Sequence, residues 1–86
     1  MTDAIKDDIK TFIMNEFLPG EDPAELTDET PLITGGILDS IATLKLVMHL
    51  EEKYRVTFAP HEVDKENLDT LDLITAFVRD KLKAGR

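Results

Sequence analysis

The sequence has no cysteine among its 86 residues, which excludes disulfides, thiolate metal sites and a cysteine nucleophile. Histidine is scarce as well. His49 and His61 fall in different predicted elements, so no metal-ligand cluster is expected, and each reads as a lone surface or half-buried side chain. No apolar run approaches the roughly 20 residues needed to span a bilayer. The opening MTDAIKDDIK is charged and lacks the apolar stretch of a secretory signal. These absences give the expectation of a cytoplasmic protein with no membrane span. Basic residues are outnumbered, 10 against 18 acids, for a formal net charge of −8. That balance argues against nucleic acid and anionic membranes as partners and favours basic ones.

A chain of this length holds one small domain, residues 1–86, with no room for a second core. So small a domain depends on a staple or on efficient helix packing. The charge is uneven along it. Residues 1–38 hold nine acids and two bases, 39–54 three acids and two bases, and 55–86 six of each. The acidity is therefore concentrated in the first half. Its plain reading is a solvated face.

Residues 4–18 place Ile5, Ile9, Phe12, Ile13 and Phe17 at helical spacing, with charged residues between them. Thr2 or Asp3 can cap this helix, and Leu18-Pro19-Gly20 stops it. About 18 residues follow with two prolines, two glycines and no clear period, a length that usually signals function or a mistaken assignment. Leu26, Leu32, Ile33 and Leu38 are its expected anchors on the core, and a short helical turn fits within it. Residues 40–54 form a second helix. An extended connection with Val56 and Phe58 on one side leads to a short third helix through 61–66, begun by Pro60. Asp69 or Thr70 caps a fourth, whose apolar face carries Leu71, Ile74, Phe77, Val78 and Leu82, with Lys81 and Lys83 complementing its C-terminal dipole. The expected fold is all-α, an irregular four-helix bundle of three main helices plus a short third one, with a long loop between helices 1 and 2.

The second helix carries two apolar stripes. Leu46, Val47, Leu50 and Tyr54 cluster on one side, and Ile41, Leu44 and Met48 on another, centred roughly 140° away at ~100° per residue. A small bundle cannot bury both completely. Either the long loop covers the second stripe, or it is exposed for a partner, with Met48 as an adaptable contact.

Ser40 opens this helix. As a bare N-cap it would contribute around 1 kcal/mol. As a hydrolase nucleophile it would need a histidine base and an orienting carboxylate, and neither Gly-x-Ser-x-Gly nor room for a substrate pocket is present. The third reading makes its hydroxyl a substrate for another enzyme. A phosphate placed there would meet free backbone N–H groups and the positive end of the helix dipole. Asp39 would oppose that phosphate and needs its own explanation.

The segment GGILDSIATLKLVMHLEEKY resembles the Gly-x-x-Asp-Ser-[Leu/Ile/Met] region of acyl and peptidyl carrier proteins. The similarity extends over the whole chain, from an acidic first helix through a long loop to a helix that starts at Asp-Ser. The resemblance implies that Ser40 carries 4′-phosphopantetheine, attached from coenzyme A by a phosphopantetheinyl transferase that reads Asp39. The arm's thiol would then hold cargo as a thioester, and the protein would be a mobile tether rather than an enzyme. It also implies that Ile41, Leu44, Lys45 and Met48 face partners and that Glu51 and Glu52 meet basic patches on them. The expected partners are a cargo-loading enzyme, either an adenylating ligase or an acyltransferase, and downstream biosynthetic enzymes.

Two places depart from fatty-acid carriers, whose helix is usually acidic just after the serine: here stand Ala42 and Lys45. The wording GILDS and the acidic loop look closer to stand-alone aminoacyl or peptidyl-type carriers of specialised metabolism, including prolyl and D-alanyl carriers. A fatty-acid or polyketide carrier is the alternative, and an unmodified acidic helical adaptor is the alternative of another class. The absence of a Pro- or Ser-rich linker favours a free-standing protein over a module of a megasynthase, and a monomer is expected.

Overall fold

The computed structural model describes residues 4–84. Helix α1 spans Ala4–Phe17, α2 Ser40–Tyr54, α3 Lys65–Leu68 and α4 Leu71–Ala84, with 3-10 turns at Pro23–Glu25 and Pro60–Glu62. There is no strand among the described residues. The all-α expectation and its element order hold. The expected caps of α1, Thr2 and Asp3, lie outside the described residues.

The three long helices form where apolar residues recur at helical spacing, and they bury the faces that the spacing marks. Ile9 and Ile13 of α1, Leu46 and Leu50 of α2, and Leu71, Ile74 and Val78 of α4 are fully buried in one core. α4 packs most extensively on α1 and α3. Phe58 leaves the chain after α2 to meet Phe77 of α4 edge-on, with ring centroids 5.4 Å apart. Lys81 lies over both rings and pairs with Glu62 at 2.8 Å.

The short third helix is placed differently from the expectation. Pro60 starts a 3-10 turn that ends at Glu62, and α3 begins only at Lys65. Two local interactions divide the segment. Glu62 reaches back to accept the Ala59 N–H at 2.8 Å, which closes the turn. Asp64, in extended conformation, then caps a new helix by accepting the Asn67 N–H. Thr70 rather than Asp69 caps α4, its hydroxyl accepting the Leu73 N–H at 3.1 Å.

Asp69 does something the sequence did not suggest. Its Oδ1 accepts the N–H groups of Ile33 and Thr34, and Oδ2 accepts the Thr34 hydroxyl. Its own carbonyl takes the Leu32 N–H. These bonds, led by the one from the Thr34 backbone, hold the Asp69 carboxyl below its ordinary value of 3.8 against the opposing effect of desolvation. Together they clip the end of the long loop onto the α3–α4 corner. Leu26, Leu32 and Leu38 complete the attachment by burying their side chains, and Ile33 is half-buried. The loop is thus tied down at both ends of its second half, just before Ser40.

Candidate functional site

The approach to α2 depends on Gly35 and Gly36 for their backbones. A Cβ at Gly35 would collide with the Pro31 carbonyl oxygen, and Gly36 has φ +85°, a conformation that side chains disfavour. The chain turns back here, so that the Leu38 N–H bonds the Leu32 carbonyl at 2.8 Å, and delivers Asp39 in extended conformation to the helix.

Asp39, not Ser40, is the N-cap. Its Oδ1 accepts the Ala42 N–H at 2.8 Å, while its carbonyl accepts the Thr43 N–H at 2.9 Å and the Thr43 hydroxyl at 2.8 Å. A carboxylate is favourable at this end of the helix dipole. This corrects the reading of Ser40 as a cap, and it supplies Asp39 with a role of its own. It also reduces the free N–H groups at the helix start, because Ala42 and Thr43 are already paired. Ser40 is the first residue of α2 and is exposed. Among the described residues neither its hydroxyl nor the N–H groups of Ser40 and Ile41 have a partner.

The Ser40 hydroxyl opens on a groove of about 540 Å³ between the start of α2 and α3. Ile33, Leu38, Leu44 and Val63 line its apolar part, and Asp39, Asp64 and Lys65 stand at it as charged groups. An exposed hydroxyl, two unpaired N–H groups beside it and an apolar trough together suit a phosphodiester bearing a long, partly apolar arm.

The second stripe of α2 is not covered by the loop. Ile41, Leu44 and Met48 are 67%, 56% and 65% exposed. Lys45 is exposed among them, and the spacing 41, 44, 45, 48 is one continuous helix face. Ala42, by contrast, is buried with Thr43. Of the two departures from an acidic helix start, only Lys45 therefore alters the exposed face. Glu52 is exposed near the far end of α2, whereas Glu51 is half-buried and accepts the Phe58 N–H at 2.8 Å.

The opposite end of α2 is fastened to α1. Asp8 accepts from Lys53 at 3.0 Å and from the Tyr54 hydroxyl at 3.1 Å, and it meets His49 Nε2 at 3.1 Å. The His49 ring stacks on Phe12 at 4.1 Å. Desolvation raises the Asp8 carboxyl, but the bonds from Lys53, His49 and Tyr54 outweigh it and the net shift is downward. His49 is therefore a clasp between helices and not an isolated side chain. A partner 41 residues away in sequence leaves no local signal. Among the described residues, no group of three or more histidines or acids is placed to hold a metal ion.

No family model matches the sequence. Individual relatives do. The chain is 34% identical over 79 residues to a D-alanyl carrier protein of Streptococcus suis (strain 05ZYH33), covering 90% of this chain and 99% of that one. It is 31% identical over 70 residues to a D-alanyl carrier protein of Lactococcus lactis subsp. cremoris (strain MG1363), covering 81% and 89%. It also matches 24% of the longer lincomycin biosynthesis protein LmbN of Streptomyces lincolnensis, at 35% identity over 66 residues. With end-to-end relatives of this identity and an Asp-Ser at the head of α2, the chain belongs to the phosphopantetheine-binding carrier protein family.

Proposed function

We propose that this chain is an aminoacyl-type carrier that tethers its cargo through 4′-phosphopantetheine on Ser40. The observation that carries the reading is the exposed, unpartnered Ser40 hydroxyl at the start of α2, in a chain aligned nearly end to end with D-alanyl carrier proteins. In the attachment step, Ser40 Oγ bonds to phosphorus of coenzyme A and displaces 3′,5′-ADP. The hydroxyl proton leaves to a base on the phosphopantetheinyl transferase. When bound, the group supplies the thiol that this cysteine-free chain lacks.

The chain's own residues position and present that group. Asp39 holds the first turn of α2 in place by capping, and its exposed edge is the mark that the transferase reads. Ile41, Leu44 and Met48 offer an apolar contact to partner enzymes, with Lys45 inside it as the specificity element. Glu51 and Glu52 form the acidic end of this surface, Glu51 also steadying the chain at Phe58. The fast, repeated exchange of partners that a carrier needs is consistent with a small apolar face bordered by charge.

An amino acid is favoured over a fatty acyl chain as cargo by the relatives and by Lys45, which stands where fatty-acid carriers present acid. Loading by an adenylating ligase tests this. The holo protein, ATP, D-alanine and a D-alanine-adenylating ligase should give one hydroxylamine-sensitive aminoacyl unit by intact mass. Loading of long-chain fatty acid by an acyl-carrier ligase, with none of the amino acid, would reverse the assignment. An unmodified adaptor would accept neither.

A further inference from the structure

Three lysines of the described residues are engaged in ion pairs away from the groove. Lys6 bridges Asp28 and Asp72, Lys53 pairs with Asp8, and Lys81 with Glu62. Lys65 has no partner among the described residues, and it is the one basic side chain lining the groove on which Ser40 opens. The nearby carboxylates cannot replace it as a donor. Asp39 accepts the Ala42 N–H and Asp64 accepts the Asn67 N–H, and both repel an anion on Ser40. An anionic group on that hydroxyl therefore faces two acids and a single complementary charge, across a trough whose walls are apolar.

We infer that Lys65 is a positioning residue for the arm. Its ammonium pairs with the phosphodiester on Ser40 and draws the arm along the groove toward Val63, away from the exposed face of α2. The consequence is a resting state in which Ile41 and Met48 stay clear for a partner while the arm lies against α3, with Leu44 at the border of the groove and the exposed face. A partner's own cations then compete for the phosphate and release the arm. This inference rests on the Ser40 reading above and adds to it a named contact within this chain.

The test compares apo and holo protein by ¹⁵N-resolved NMR, with contacts from the gem-dimethyl group of pantetheine as the second readout. Modification should shift the amides of residues 63–66 and give a contact to the Val63 methyls. Lys65→Gln should lose both, Lys65→Arg should keep them, and Lys83→Gln, which removes an exposed cation off the groove, should leave them unchanged. Raising the salt from 50 to 500 mM should weaken the contact in the unmodified sequence, because an exposed pair is screened. Shifts and Val63 contacts that persist in Lys65→Gln, or that are missing from the unaltered holo protein, overturn the inference while leaving Ser40 as the attachment site. Failure of Ser40 to gain mass at all overturns both. Unchanged apo spectra and melting temperature in Lys65→Gln keep the comparison free of a folding effect.

Discussion

Leu46 and Met48 stand two residues apart on α2, both large and apolar, yet Leu46 is wholly buried and Met48 is 65% exposed. The same contrast runs the length of the helix. Leu46, Val47 and Leu50 meet the core, while Ile41, Leu44 and Met48 meet solvent. Burying the second set would require another element on that side. The long loop, the available candidate, is instead drawn to the α3–α4 corner by Asp69. Apolar character alone therefore did not decide which face belongs to the core. The tie at Asp69 did, and it left an apolar face beside Ser40.

The largest expected effect breaks this contrast on its buried side. Leu46→Ala should cost about 2–5 kcal/mol, a drop in melting temperature of roughly 10 °C or more for a domain of this size. Met48→Ala should stay within about 0.5 kcal/mol while slowing transfer to a partner enzyme. A comparable loss of stability in both variants would erase the distinction between the faces.

The tie itself titrates. The folded Asp69 carboxyl lies below 3.8, its ordinary value, so its bonds stabilise the fold fully above the unfolded value and are lost as pH falls through the lower folded one. Acid unfolding below about pH 4 should begin earlier if those bonds matter. Asp69→Ala should unfold at lower temperature near neutral pH and show a flatter pH dependence below it. An acid limb identical to that of the unaltered chain would remove Asp69 from the account.

Smaller effects separate the two roles of Asp39. Asp39→Asn keeps a good cap and should change stability by only a few tenths of a kcal/mol, whereas Asp39→Ala should cost about 1 kcal/mol. If the transferase reads the charge, both variants lose modification although only one loses stability. Normal modification of Asp39→Asn would leave Asp39 as a cap alone. The smallest stability effect belongs to Ser40→Ala, because the Ser40 hydroxyl has no partner among the described residues and alanine suits a helix.

Sequence periodicity sufficed for α1, α2 and α4, since their faces follow a 3.6-residue repeat, and the helix start at Asp39-Ser40 was legible as well. Where structure depends on one distant partner, periodicity fails. Asp69 acts on residues 35 and 36 positions away, and Asp8 on residues 41 to 46 away. The third helix departs from the expected 61–66 because Glu62 closes one turn and Asp64 caps the next helix within three residues of each other. The end of α2 shows the same limit. Arg55 takes the left-handed cap conformation at φ 58°, where a glycine would have announced the stop.

The central claim is that Ser40 is a handle and not a structural residue. Incubation with coenzyme A, magnesium and a permissive phosphopantetheinyl transferase, followed by intact mass, addresses it directly. The unaltered chain should gain one phosphopantetheine, and Ser40→Ala, melting at nearly the same temperature, should gain none. A gain that persists in Ser40→Ala, or no gain in the unaltered chain, would contradict the account.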